Sequence, residues 1–149
     1  MSPGAECRLV GALRVPLPPA EAFRLFTPRG EESWVPGWRP EFPVPTEDDT
    51  APGTVFQTRA DGRTTTWVVL ARQPGHLLRY ARLTPEVWAG TVEVELTPAG
   101  DGSEVKVAYE LTALSEPART ELREFADRYP EFLATWSEAI TEALTGVHR

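Results

Sequence analysis

The sequence predicts an α+β fold in which a strongly curved antiparallel β-sheet wraps around a long C-terminal α-helix. Three observations lead to this prediction. Apolar and polar residues alternate through most of residues 54–114, which is typical of half-buried strands. The links between the alternating stretches are too short for parallel crossovers. From residue 115 onward, apolar residues instead recur three and four apart, as in an amphipathic helix.

One strand and two short helices are predicted before the main part of the sheet. Residues 7–15 alternate between apolar and polar side chains, so they should form a half-buried strand. Pro18 and Pro19 suit a helix start, because the first N–H groups of a helix have no partner within it. The amphipathic stretch that follows ends before Gly30, and residues 31–34 add a further turn.

Five more strands follow, and turn-forming residues separate them. The separators are Asp61-Gly62, Pro74-Gly75, Pro85 and the stretch 98–102. Such short links permit only antiparallel neighbours. The predicted strands are residues 54–59, 64–72, 76–84, 87–97 and 103–114.

The C-terminal segment is predicted to be helical, with one interruption. Ser115 is a suitable N-cap and Pro117 falls in the first turn. Pro130 lies within the helical pattern, where it removes a hydrogen bond to the carbonyl of Ala126 and clashes with it. We therefore expect either a kink at Pro130 or two helices in near succession.

The overall architecture follows from burial. The sheet has one apolar face and the helix has one apolar stripe, and each must be covered. Wrapping the sheet around the helix covers both. A length of 149 residues is ordinary for one domain, and neither a repeat nor a linker is visible. We therefore predict a single domain over residues 1–149.

Composition excludes several function classes. The net charge of −7 argues against nucleic-acid binding and against anionic membrane surfaces. No apolar run is long enough to insert into a membrane. The absence of a visible signal peptide and the presence of only one cysteine, Cys7, favour the cytoplasm. We expect a monomer or a homodimer.

The order of elements between residues 8 and 144 resembles the START/SRPBCC superfamily, whose members share the helix-grip fold. The stretch VPLPPAEAFRLFTP is similar to its first strand and helix, and PGTVFQTR, WVVLARQPGHLLRYARLTP and GTVEVELTPAGDGSEVKVAYELTAL are similar to its hairpins. WVPGW resembles a motif of a bacterial branch. The resemblance implies a cavity between sheet and helix that binds a lipid or polyketide-like molecule. Some members cyclise or dehydrate such ligands, others act as co-chaperones, and no cofactor is common to them.

Large aromatic residues on the predicted inward faces are the candidate cavity lining. Core packing is the default interpretation of such a set, but a curved sheet closed by a single helix often leaves a hollow. Trp34 and Trp38 should close one open end or contact the ligand. The candidate ligand-binding residues are Trp34, Trp38, Trp67, Tyr80, Arg82, Trp88, Tyr109, Phe125, Tyr129, Phe132 and Trp136.

The strand at residues 76–84 carries an arginine on each face, Arg79 on one and Arg82 on the other. We expect Tyr80 and Arg82 to face inward, because a tyrosine suits a cavity wall with a polar tip. An inward arginine requires an anionic partner, so Arg82 is a candidate anchor for a ligand carboxylate. The alternative is a rim residue whose stem covers apolar surface while its head stays wet. The many apparent rim arginines favour that alternative.

No catalytic residue is predicted. Neither His76 nor His148 has a second metal ligand three or four residues away, and Cys7 has no evident base. Glu93 and Glu95 share the wet face of their strand.

Three functions remain. A carrier of an apolar small molecule needs a cavity of about 300–1,000 Å³. A cyclase or dehydrase needs, in addition, an inward acid, base or arginine. A protein-interaction module predicts a filled interior and an exposed apolar patch. The apolar sheet face favours the carrier, and the lack of a convincing inward carboxylate counts against the enzyme.

Overall fold

A computed structural model describes residues 5–146 and contains the six expected strands. Each strand begins and ends within two residues of its predicted bounds. The strands are β1 (Glu6–Val15), β2 (Val55–Ala60), β3 (Arg63–Gln73), β4 (Leu77–Thr84), β5 (Trp88–Ala99) and β6 (Gly102–Ala113).

The strands form one antiparallel sheet in the order β1-β6-β5-β4-β3-β2. β1 returns to pair with β6, so β1 and β2 are the two edges. The pairing of β3 with β4 shifts register between Val69 and Ala71. An extra residue in one strand bends a sheet and increases its twist, and this curvature gives the sheet its concave face.

Within residues 5–146, five helical segments accompany the sheet. After β1, α1 (Pro19–Ala22) runs into a 3-10 turn at Phe23–Phe26, and a second 3-10 turn spans Gly30–Ser33. These are the short helices expected after the first strand. The C-terminal part consists of α2 (Glu116–Asp127) and α3 (Tyr129–Thr145).

The sequence predicts either a kinked helix or two successive helices around Pro130, and the structure has two successive helices. Arg128 separates them with φ −106° and ψ 13°, and Pro130 lies in the first turn of α3, where its missing N–H costs no hydrogen bond. Ser115 caps α2 as expected, its hydroxyl accepting a 3.3 Å hydrogen bond from the N–H of Ala118.

Helix α3 lies against the concave face beside β1. Close approach depends on Gly11, because a Cβ at that position would lie 2.5 Å from Cδ1 of Leu133. Fully buried side chains from sheet and helices meet beneath α3, including Phe26, Phe56, Leu78, Leu111 and Ile140. None of the helices in residues 5–146 combines the length and apolar character needed to cross a bilayer.

Candidate ligand-binding site

A cavity of about 200 Å³ lies between the concave face of the sheet and α3. Five strands contribute to its wall, and α3 and the connection after the second 3-10 turn close it. The sheet supplies Phe56, Trp67, Tyr80, Arg82, Val92, Val94 and Tyr109. The remaining wall consists of Glu31, Val35, Trp38, Phe132 and Trp136. The volume is below the usual range of about 300–1,000 Å³ for drug-sized ligands.

Most polar atoms of the aromatic wall bond outward to the protein. Trp38 Nε1 donates to the carbonyl of Pro28 at 2.7 Å, and Trp67 Nε1 donates to Thr58 Oγ1 at 2.9 Å. The Tyr80 hydroxyl donates to the carbonyl of Phe26 at 2.8 Å. These three side chains therefore present ring surfaces to the cavity and keep their donors in the wall.

Arg82 enters the cavity wall from β4, on the same face as Leu78 and Tyr80. Its Nη2 donates to Thr84 Oγ1 at 3.2 Å, while its Nε is buried with no hydrogen-bond partner among residues 5–146. Among residues 5–146, no carboxylate oxygen lies within 4.0 Å of its nitrogens. Burial lowers the pKa of the guanidinium, which still carries its charge at neutral pH.

Arg79 occupies the opposite face of β4. It is exposed and lies 3.8 Å from Glu93. Alternation along the strand thus sends one arginine outward to a carboxylate and the other inward without one. The expected inward orientation of Tyr80 and Arg82 is what the structure has.

Tyr109 adds a second polar group, from β6. Its hydroxyl makes no hydrogen bond within residues 5–146, whereas Tyr80 and Tyr129 each donate to a carbonyl. Burial raises the pKa of Tyr109, and the positive charge of Arg82 opposes that shift. The phenol is therefore a neutral donor close to the guanidinium.

Glu31 is the third polar group and was missed in the sequence. It is half-buried, and its side chain lines the cavity. No basic nitrogen lies within 4.0 Å of its carboxylate in the described residues. Burial raises the pKa of this carboxyl well above its ordinary value of 4.5, because the charged form loses hydration.

The spacing of Glu31 from its apolar neighbours in the sequence could have predicted that its side chain faces inward. Trp34 and Val35 follow it by three and four residues, and such positions share one face of a helical turn. The amides of both residues do bond to the carbonyl of Glu31, at 3.2 and 2.8 Å. Because Trp34 and Val35 turn toward the core, Glu31 does too.

Seven of the eleven predicted residues line the cavity, and four do not. Trp34 is buried behind the wall, where its Nε1 donates to the carbonyl of Leu25 at 2.7 Å and its ring meets Trp136 edge-on. Trp88 and Phe125 pack on each other beyond the cavity, with ring centroids 6.0 Å apart. Tyr129 donates to the carbonyl of Val107 at 2.7 Å and packs beside β1.

Glu93 and Glu95 lie on the convex face, as the sequence predicts, and Glu110 of β6 lies on the same face. Glu93 pairs with Arg79, Glu95 lies 3.5 Å from His76 and from Lys106, and Glu110 lies 3.3 Å from Arg8. Within residues 5–146, no group of three His, Cys, Asp or Glu side chains is arranged to hold a metal. His148 lies outside the described residues.

A curved antiparallel sheet that grips a C-terminal helix around an apolar hollow defines the helix-grip class of proteins. Residues 7–146 match the family described as polyketide cyclase / dehydrase and lipid transport, and the chain belongs to that family. The superfamily resemblance seen in the sequence is thereby confirmed. No curated protein matches the sequence.

Solved structures with the same fold share little sequence with this chain. Ara h 8.0201 superposes with a TM-score of 0.68 at 19% identity, covering 94% of this chain and 99% of that protein. MLL2253 from Mesorhizobium loti gives 0.67 at 21% identity, covering 96% and 100%. DynU16, from the dynemicin biosynthetic locus, gives 0.61 at 18% identity; the match covers 90% of this chain and 46% of DynU16.

Proposed function

We propose that this protein binds a hydrophobic small molecule in the cavity between the sheet and α3. The observation that carries the proposal is the cavity itself, whose wall is aromatic and aliphatic apart from the side chains of Glu31, Arg82 and Tyr109. Apolar walls with a few convergent polar groups are what small-molecule sites have in common. In this proposal Trp38, Trp67, Tyr80, Phe132 and Trp136 contact the apolar body of the ligand.

The polar end of the ligand is assigned to Arg82. A buried cation without a counter-charge is unfavourable, and the free Nε of Arg82 is such a group. A ligand oxygen that accepts from Arg82 would relieve this cost. The anchor interpretation of Arg82 is therefore preferred over the rim interpretation.

An enzyme of the cyclase or dehydrase kind is the second candidate, and Glu31 is the observation in its favour. A carboxyl with a raised pKa can act as a general acid near neutral pH. Arg82 and Tyr109 supply donors that would stabilise negative charge on a ligand oxygen. The family description and the origin of DynU16 in a biosynthetic locus also support this candidate.

A protein-interaction module, the third candidate, is less well supported. It requires a filled interior, whereas the space under α3 holds about 200 Å³. The large exposed apolar side chains in residues 5–146 are distributed over β1, β2, β3, β4, α3 and two connections, for example Val10, Val44 and Leu114.

Native mass spectrometry of the protein purified from its own host tests the proposal. A retained mass that disappears in an Arg82→Gln variant, but persists in Arg79→Gln, supports ligand binding in this cavity. Incubating the recovered molecule with fresh protein then separates the two leading candidates. A carrier returns it unchanged, whereas a dehydrase yields a product lighter by one water. If Arg82→Gln and Arg79→Gln both retained the ligand mass equally, the assignment of the ligand to this cavity would be overturned.

A further inference from the structure

We infer that the ligand is a single-ring aromatic carboxylate whose carboxylate is held by Arg82 and Tyr109. This inference rests on the proposed function and narrows it to one chemical class.

The size of the cavity sets the first limit. An apolar cavity of about 150 Å³ holds benzene, and this one has about 200 Å³. A benzene ring with a carboxylate and one small substituent fits that space. The fused rings of a polyketide product and the acyl chain of a lipid are larger than the cavity.

The walls set the second limit, which is shape. Ring surfaces of Phe56, Trp67, Phe132 and Trp136 face the cavity, with Trp38 meeting Phe56 and Trp67 edge-on. Phe56 and Trp67 lie almost parallel, at an interplanar angle of 3°. Aromatic pairs in offset-stacked or edge-on geometries stabilise a structure by about 0.5–1.5 kcal/mol more than the burial of their area alone does. A flat aromatic occupant can make such pairs, whereas a flexible aliphatic chain cannot.

Charge sets the third limit. Arg82 brings one positive charge into the wall, and no carboxylate of the described residues neutralises it. A guanidinium matches a carboxylate in shape and donor spacing. The Tyr109 hydroxyl, which makes no hydrogen bond within residues 5–146, lines the same cavity as Arg82 and offers a further donor to the carboxylate. In the described residues, the Glu31 carboxylate has no basic nitrogen within 4.0 Å and so does not pair with Arg82; the occupant is therefore the group that balances Arg82 with one negative charge.

The experiment is a titration of the full chain with benzoate, followed by tryptophan fluorescence and by calorimetry. Trp38, Trp67 and Trp136 line the cavity and report its occupation. The matched probes are benzamide, which keeps ring and shape but loses the charge, and 2-anthracenecarboxylate, which keeps the charge but adds two rings. We expect benzoate to bind at least about tenfold more tightly than benzamide, the difference that a charge-assisted hydrogen bond provides, and more tightly than 2-anthracenecarboxylate because the two added rings exceed the volume of the cavity.

Variants assign the preference to Arg82. Arg82→Gln should abolish the advantage of benzoate over benzamide, Arg82→Lys should retain part of it, and Arg79→Gln on the outer face of β4 should leave it unchanged. Circular dichroism and thermal melts establish that each variant is folded. If a variant does not fold, the comparison of the three probes on the wild-type protein still tests the ligand class.

Each outcome bears on a different claim. Equal binding of benzamide and benzoate would overturn the anionic class and leave the proposed apolar site intact. Binding of 2-anthracenecarboxylate without benzoate would overturn the single-ring limit alone. No saturable binding of any of the three probes would overturn both this inference and the proposed cavity function.

Discussion

The guanidinium of Arg82 lies over the ring of Trp67, 4.8 Å from its centroid. The face of an aromatic ring carries partial negative charge, so this contact partly replaces the missing counter-anion. A hydrogen bond also fixes the direction of the guanidinium. Its Nη2 donates to Oγ1 of Thr84 on the same strand, and the Thr84 hydroxyl is itself hydrogen-bonded to Thr65 at 2.6 Å. Arg82 is therefore held in position before any ligand arrives, with its Nε free.

The first prediction concerns the stability cost of this arrangement. Arg82→Met should raise the free energy of unfolding of the ligand-free protein by about 1 kcal/mol, because it removes an unpaired buried donor and keeps an apolar stem over Trp67. Arg79→Met, on the exposed face, should change it by less than about 0.5 kcal/mol. Urea unfolding of the three proteins measures both. A loss of stability in Arg82→Met would mean that the contact with Trp67 outweighs desolvation.

The second prediction concerns Glu31 and pH. Its pKa in the folded protein lies well above 4.5, so the folded state binds the proton more tightly than the unfolded state does. Stability from this group is complete below pH 4.5 and declines as pH rises toward the folded pKa. Glu31→Gln should therefore be stabilising at about pH 8, and nearly neutral at about pH 4, where both states are protonated.

The control for this prediction is Glu32→Gln, one residue along in the same 3-10 turn and exposed. It should show no comparable pH dependence. The groups facing Glu31 across the cavity are Tyr80, Arg82 and Tyr109. The two tyrosines stay neutral between pH 4 and pH 8 because burial raises their pKa values, and a guanidinium keeps its charge throughout that range. Urea unfolding at both pH values makes the measurement, and equal effects of the two substitutions would refute a buried Glu31.

The third prediction separates two tyrosines that look alike in the sequence. Tyr129→Phe removes a 2.7 Å hydrogen bond to the carbonyl of Val107 and should lower the free energy of unfolding by about 1 kcal/mol. Tyr109→Phe removes no hydrogen bond within the described residues, so it should leave stability nearly unchanged. It should instead weaken benzoate binding. Thermal melts measure the stability of both variants, and the benzoate titration measures their affinity. The prediction is wrong if Tyr109→Phe destabilises the protein more than Tyr129→Phe does.

The strands could be predicted because alternation and turn residues are local signals. In β5, for example, Val92 and Val94 face inward and Glu93 and Glu95 face outward, as the period of two requires. The cap at Ser115 is equally local. The domain extent and the ligand-binding role of the lining residues remain predictions.

Position along an element was harder to predict than the face of the element. Periodicity sends Trp88 and Phe125 to the inward side, but it does not say where along the sheet the hollow lies, and they pack beyond it. Glu31 was missed for a related reason. A charged residue in a turn is usually solvated, and only the meeting of this turn with β4 and β6 encloses it.

The last prediction concerns what limits the size of the ligand. Phe132 is a half-buried residue of α3 that fills one side of the cavity wall. Phe132→Ala should remove a ring from that wall and allow 2-naphthoate, with one ring more than benzoate, to bind. Complete burial would make the substitution cost about 3–5 kcal/mol of stability, and the half-exposed position of Phe132 should reduce that cost.

Phe125→Ala is the matched control for this change, because Phe125 occupies the neighbouring helix and is equally half-buried but lies outside the cavity. It should lose stability without gaining affinity for 2-naphthoate. The titration compares 2-naphthoate with benzoate for wild type and both variants, and we expect the ratio of the two affinities to rise at least about tenfold in Phe132→Ala alone, which corresponds to about 1.4 kcal/mol. An unchanged ratio in a folded Phe132→Ala would mean that the side chains of the sheet, rather than α3, limit the size of the ligand.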